Sequence, residues 1–310
     1  MDTRTIKLNN GVSMPQIGLG TFLIPQEEIS RTIGRAYELG YRQFDTAWRY
    51  RNEAAIAQAL KDNGIKREDV FITTKVNADA LFWFGYRYGK RSIFNFRNFK
   101  SVRRAVEESF EHLGGAEYID LFLVHWPWPM YLKMYEVLTE LYHKGRIRAI
   151  GVCSCLPPHL EALKTVSNVV PAVNQFEISP LNTQKQLIKY CQERGIAVEA
   201  MSTFSHFRSN TPRTEITENP VIKEIADAKG KSVVQVVLRW LLQQDIILIP
   251  KTWIDEHLQE NINILDFELS ADEMSKIDAL DQGKFLNYNP YNVLHTLPKK
   301  YRKGWNGFEE

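Results

Sequence analysis

The sequence predicts an α/β fold, a (β/α)8 TIM barrel with an N-terminal β-hairpin cap, for a chain of 310 residues. Three observations carry that expectation. Eight short apolar or β-branched runs recur along the chain, amphipathic stretches at helical spacing separate them, and the glycine signature of the competing open sheet is missing.

In chain order, TIKLNNGVSM puts Asn-Gly between two short runs, the signal of a tight hairpin, and a hairpin ahead of the first barrel strand would cap the barrel bottom. QIGLGTF is the first barrel strand. Its Gly18-Leu19-Gly20 lacks the third glycine of Gly-x-Gly-x-x-Gly, which argues against a doubly wound dinucleotide-binding sheet. The helical EEISRTIGRAYELG follows and stops at glycine, as do NEAAIAQALKDNG after the strand QFDTA and KSVRRAVEESFEHLG after the strand VFITTKV. YIDLFLVHW, AIGVCS, AVNQFEI, GIAVEAMS and DIILIPK supply the remaining strands, each a near-continuous apolar run of the kind buried on both faces. MYEVLTELYHKG, HLEALKTV, TQKQLIKYCQERG and KSVVQVVLRWLLQQ are the helices between them. No composition shift or Pro/Gly-rich linker divides the chain, so the expectation is a single domain over 1–310, with a long loop at 77–99 and a C-terminal tail at 281–310.

Composition narrows the partners. With 44% hydrophobic and 25% charged residues and a formal net charge of +2, the chain has no field that would select nucleic acid or an anionic membrane. The most apolar later segment, VVQVVLRWLLQQDIILIP, is interrupted by Arg239 and Gln-Gln-Asp and is too polar to span a bilayer. Three cysteines and a charged N-terminus without an apolar run give neither a disulfide framework nor a secretory signal, so the expected compartment is the cytoplasm and the expected partner a small molecule. Cys153 and Cys155 invite a redox or metal reading. Residues two apart on a strand sit near the upper limit of disulfide spacing, and as metal ligands they lack companions. No metal is expected.

In such a barrel, polar residues at the C-terminal strand ends face the active-site mouth. Here those ends carry Asp45, Lys75, His125, Ser154, Gln175, Ser202 and Lys251. So many polar groups at equivalent places point to one shared site. The segments GYRQFDTAWRYRNE, ITTKV, IDLFLVHWP, VNQFEISP and IPKT…EN, in this order, resemble the signature segments of the aldo-keto reductase family, from the hairpin through FELSADEM. The resemblance implies an NAD(P)H-dependent oxidoreductase that reduces an aldehyde or ketone to an alcohol, with Asp45, Tyr50, Lys75 and His125 as the catalytic group. Reducing a carbonyl builds charge on oxygen. Tyr50 would supply the proton, Lys75 would lower its pKa, Asp45 would hold the ammonium and His125 would orient the carbonyl.

For the cofactor, the resemblance implies contacts from Thr21, Asp45, Cys153, Ser154, Gln175, Met201, Ser202, Lys251, Thr252, His257, Glu260 and Asn261. Three of these depart from the family pattern. Cys153-Ser154 replaces a Ser-Asn pair, Met201 replaces a stacking aromatic ring, and His257 stands where arginine is common, without that residue's planar fork. NADP(H) is favoured and NAD(H) use stays open. Phe22, Trp48, Arg49, His125 and Trp126 match substrate-side positions, and an inward-pointing Arg49 would favour a keto acid or an acidic sugar. The loop 77–99, rich in aromatic and basic residues, reads as a lid or as a self-packed cluster. The family habit is a monomer. A nicotinamide-cofactor-binding regulatory subunit with little turnover is the alternative that the altered cofactor positions motivate, and a barrel hydrolase without cofactor is a third.

Overall fold

The computed structural model describes residues 4–76, 99–128, 130–204, 211–286, 289–291 and 301. The chain opens with the hairpin, β1 (Thr5–Lys7) antiparallel to β2 (Ser13–Pro15), with Ile6 opposite Met14. Gly11 takes φ +86° at the turn, a conformation open to glycine at little cost. Leu8 and Met14 pack onto Phe71, Leu121, Leu123, Val173 and Ile247 inside the barrel. The Asn9 and Asn10 side chains donate to the carbonyls of Pro171 and Arg148 at 2.9 and 2.8 Å. The hairpin therefore plugs the N-terminal end, leaving the opposite end for chemistry.

Eight parallel strands follow in sequence order: β3 (Leu19–Gly20), β4 (Gln43–Asp45), β5 (Phe71–Val76), β6 (Ile119–Val124), β7 (Ile147–Cys153), β8 (Val173–Glu177), β9 (Ala197–Met201) and β10 (Ile247–Leu248). An Ile17–Leu248 bridge closes the ring, with Gly18 N donating to Leu248 O at 2.7 Å and Leu248 N to Gln16 O at 2.8 Å. All eight runs read as strands from the sequence are strands here.

The outer layer is α1 (Ile29–Glu38), α2 (Glu53–Asp62), α3 (Phe99–His112), α4 (Tyr131–His143), α5 (Pro157–Leu163), α6 (Lys185–Gln192), α7 (Thr211–Thr217), α8 (Pro220–Lys229), α9 (Val233–Leu242), α10 (Asp255–Ile262) and α11 (Ala271–Asp278). The sequence reading did not include α7, α8, α10 or α11 among the helices. The signals for α8 were nonetheless present: Asn219 accepts from the amides of Val221 and Ile222, Pro220 fills the first helical position, and Gly230 ends the helix at φ +62°. Ser232 with Gln235, and Ser270 with Glu273, form reciprocal caps on α9 and α11. Among the described residues no helix is long and apolar enough to cross a membrane.

The closed sheet creates an inner core, of which Leu121, Leu123, Ala149 and Cys153 are members, and a larger one between sheet and helices that includes Phe44, Ile72, Val124 and Trp240. Near the bottom, fully buried Asp120 accepts from Arg67 at 2.6 Å, Arg148 at 2.5 Å and the Ile72 amide at 2.9 Å, tying the starts of three strands together. Gly151 on β7 is a close-approach point, since an added Cβ would overlap the Val173 carbonyl oxygen and the Leu123 side chain. Gly151→Ala is expected to cost about 1–3 kcal/mol, as overpacking does, read as a lower denaturant midpoint with an unchanged slope.

The loop expectation, apart from Phe99, which begins α3, falls on residues outside those described. Of the tail, residues 281–286 return to the barrel, with Gln282 N and Lys284 N both donating to Leu181 O at 3.0 Å.

Candidate active site

The site is built where β4, β5 and β6 end. Lys75 points into the barrel with no exposed surface, and its Nζ donates to Asp45 Oδ1 and Oδ2 at 2.6 and 2.7 Å and to Thr46 O at 2.9 Å. Tyr50 lies on a single helical turn, Trp48–Tyr50, just after β4, held by its own amide on Ala47 O at 2.9 Å. That turn sets the Tyr50 ring 5.1 Å from Lys75 Nζ, within reach of the ammonium's charge. His125 follows β6, anchored by its amide on Val76 O at 2.9 Å, and its ring meets Tyr50 edge-on at 5.8 Å between centroids. The structure thus brings Asp45, Tyr50, Lys75 and His125 together.

Electrostatics separate their roles. Burial works against the Lys75 ammonium, but the Asp45 carboxylate at 2.6 Å outweighs it and holds the lysine above its ordinary range. Burial likewise raises the Asp45 carboxyl, and the ammonium and Gln175 pull it back; the bidentate geometry keeps the pair as carboxylate and ammonium. Burial pushes the Tyr50 phenol up to about 12, and Lys75 offsets this only in part. This corrects the expectation of a lowered tyrosine: Lys75 acts in the expected direction and desolvation is larger. Burial first, then Lys75 and Arg49, drive His125 well below the usual histidine range, so its imidazole is neutral. His125 Nδ1 is buried with no hydrogen-bond partner among the described residues.

These groups open onto a cavity of about 1200 Å³, larger than an ordinary small-molecule pocket. Phe22, Arg49, Tyr50, His125 and Trp126 line one end; Lys251, Thr252, His257, Glu260 and Asn261 line the other, with Asp45, Gln175, Met201 and Ser202 between. Phe22 tilts against Tyr50 at 4.6 Å, and Trp126 stacks on His125 at 5.4 Å. Arg49 is exposed at the lip, where its charge reaches His125. Four expected contact residues do not line this cavity. Thr21 is buried, its hydroxyl donating to Asp45 O at 2.8 Å, which ties β3 to β4. Trp48 belongs to the outer core, its indole donating to Glu108 at 3.0 Å beneath Arg51. Cys153 faces the inner core, and Ser154 is buried behind it at φ +51°.

That left-handed turn at Ser154 also answers the Cys153-x-Cys155 question. It sends Cys153 into the barrel and Cys155 into the helix layer, so the two thiols lie in different cores; both are free and pushed up by burial. Among the described residues no cluster of His, Cys, Asp and Glu could hold a metal.

Three groups at the site were not singled out from the sequence. Arg213 of α7 lines the cavity and, after burial, is what depresses the Lys251 ammonium. Two cations near enough to repel are relieved by an anion bound close to both, which is the character of a phosphate subsite. Nothing in the sequence marks Arg213, because it is far from Lys251 along the chain. Glu199 and Gln43 lie under Asp45: Gln175 Nε2 donates to Asp45 Oδ2 at 3.1 Å and to Glu199 Oε2 at 2.6 Å, and Gln43 Nε2 donates to Glu199 Oε1 at 2.7 Å. The Gln175 amide nitrogen, expected to hold a nicotinamide carboxamide, is committed to two carboxyl groups. Residue alternation on β4 and β9 could have found both neighbours, since Gln43 precedes Asp45 and Glu199 precedes Met201 by two.

Comparison with known proteins identifies the family and the fold. The model of the Aldo/keto reductase family matches residues 16–282. A glyoxal reductase of Bacillus subtilis is 38% identical over 293 residues, covering 94% of this chain and 97% of that protein. A morphine 6-dehydrogenase of Pseudomonas putida is 38% identical over 301 residues, with 93% and 95% covered. Among solved structures, an aldo-keto reductase of Bombyx mori in complex with NADP superposes with a TM-score of 0.79 at 30% identity, over 92% of this chain and 95% of that one.

Proposed function

The chain belongs to the aldo/keto reductase family, and from that premise we propose that it reduces an aldehyde or ketone to an alcohol using NADP(H), with Tyr50 as general acid. The observation that carries this reading is the fully buried Lys75–Asp45 pair with its ammonium 5.1 Å from the Tyr50 ring, beside a neutral His125, on a cavity of about 1200 Å³. A bound nicotinamide cofactor supplies the hydride. The residues do the rest. Tyr50 stays protonated across the neutral range and so has a proton to give, while the nearby Lys75 ammonium stabilises the charge left behind. Asp45 fixes that ammonium. Neutral His125 can donate one hydrogen bond to a carbonyl oxygen as charge develops there.

The residues present fit the cofactor. Lys251 and Arg213 both line the cavity and their charges oppose one another, which calls for an anion. Arg213, supplying charge where His257 lacks arginine's fork, favours the phosphorylated cofactor. Arg213→Ala is expected to weaken NADPH binding about tenfold, as loss of a charge-assisted hydrogen bond does, and to leave NADH binding within about twofold. Titration of tryptophan fluorescence with each nucleotide checks this. At the other end Arg49 favours carbonyl compounds that carry an acidic group. The relatives' names, glyoxal reductase and morphine 6-dehydrogenase, are those of redox enzymes with quite different substrates, so the family leaves the substrate open. The test is isotopic: NADPH deuterated on the transferable ring position should place deuterium on the carbinol carbon of the product, and a product without label would refute direct hydride transfer.

A further inference from the structure

Glu199 is a fully buried carboxyl group in the floor of the site, on β9, and the chemistry described so far does not use it. Its neighbours are known on every side. Gln43 and Asp45 approach from β4, Lys75 from β5, Cys153 from β7 and Gln175 from β8. The inner positions of β3, β6 and β10 bring no titratable side chain among the described residues, β6 offering Leu121 and Leu123, and His125 beyond its end is neutral. The Cys153 thiol is held neutral by burial. The charged groups in the floor are therefore one ammonium and up to two carboxylates.

A second uncompensated carboxylate in a dry interior is costly, so one of the two carboxyl groups keeps a proton. Asp45 is clamped by both oxygens to Lys75, which leaves the proton to Glu199. Burial first, then the Asp45 charge, pushes the Glu199 carboxyl up to about 8. The hydrogen-bond geometry accommodates both states. Ionised Glu199 accepts from the amide nitrogens of Gln43 and Gln175 at 2.7 and 2.6 Å. Protonated, it needs an acceptor, and Gln43 Oε1 is buried without a partner among the described residues; rotating that carboxamide presents the oxygen. The same Gln175 nitrogen touches both carboxyl groups, so a change of charge on one is felt by the other.

We propose that Glu199 is a positioning residue of the Asp45–Lys75–Tyr50 relay: by keeping a proton in the barrel floor it leaves a single carboxylate facing Lys75, and by releasing it weakens Tyr50 as an acid. The direction follows from charge. A second anion strengthens the hold on the Lys75 ammonium and opposes the negative charge that develops on Tyr50 as it gives up its proton. This part rests on the reading of Tyr50 as the acid.

Two measurements decide it. Infrared titration of the intact protein should show a protonated-carboxyl band at neutral pH that fades as pH rises through about 8 and is missing in Glu199→Gln. Coupling is reciprocal. The band should therefore fade at lower pH in Asp45→Asn, by about a tenfold change in proton affinity, and at higher pH in Lys75→Met. The two shifts are opposite in sign, and either one that folds suffices. In turnover, carbonyl reduction by the parent should fall roughly three- to tenfold between about pH 7 and about pH 9, and Glu199→Gln should stay level over that span. Absence of a Glu199-dependent band, or a midpoint that ignores both substitutions, overturns the proposal. So does a Glu199→Gln pH profile parallel to the parent's. If the parent reduces no carbonyl compound, the proposed function fails, while the infrared arm still decides where the proton sits.

Discussion

Tyr50→Phe is expected to lower turnover by roughly 10²–10⁴-fold, the range a positioned general acid contributes, with cofactor affinity unchanged. The substitution removes one oxygen. The ring still packs against Phe22 and meets His125 edge-on, so the wall of the cavity survives. What disappears is the proton and the group on which Lys75 acts. The comparison to make is single-turnover reduction against nucleotide titration of the same variant. Loss of both together would mean that Tyr50 shapes the cavity rather than supplies the proton.

The second large effect is on stability as well as rate. Lys75→Met strands the Asp45 carboxylate, buried and 2% exposed, with only Gln175 as a side-chain donor. Removing one partner of a buried pair costs about 3–5 kcal/mol, because the remaining charge has lost its compensation. Adding Asp45→Asn to Lys75→Met should return much of that stability and none of the activity. Denaturant midpoints and turnover for the two single variants and the double variant complete the cycle. If the double variant is no more stable than Lys75→Met alone, the cost lies in lost packing of the lysine stem, not in the stranded charge.

Much of this arrangement was legible in the sequence. The eight strands show because a buried parallel strand is a largely apolar run, and the proposed catalytic group shows because titratable residues stand at the strand ends: Asp45 after Gln43-Phe44, Lys75 after Thr73-Thr74, His125 after Val124. Two kinds of information were out of reach. The first is direction at a strand end. Cys153, Ser154 and Trp48 stand at positions that suggest the cavity, yet a left-handed residue at Ser154 and a turn at Trp48–Tyr50 aim them into the protein. Backbone conformation of that kind is not written in residue type when the residue is not glycine. The second is convergence of groups distant in sequence. Arg213 comes within electrostatic reach of Lys251 on the cavity wall, and Glu199 reaches Asp45 through Gln175 because a closed barrel brings β9 and β4 within reach of one carboxamide. Desolvation belongs here too. A Lys75 beside Tyr50 implies a more acidic phenol, and only the depth of burial reveals that the balance goes the other way.

The most direct test of the account is nicotinamide absorbance followed in parallel with nucleotide binding, across aldehydes, ketones, keto acids and acidic sugars with NADPH and with NADH. The account predicts tight NADPH binding and consumption of NADPH with at least one carbonyl class. Tight binding with no turnover on any of them would contradict it and would mark the barrel as a cofactor-binding subunit instead.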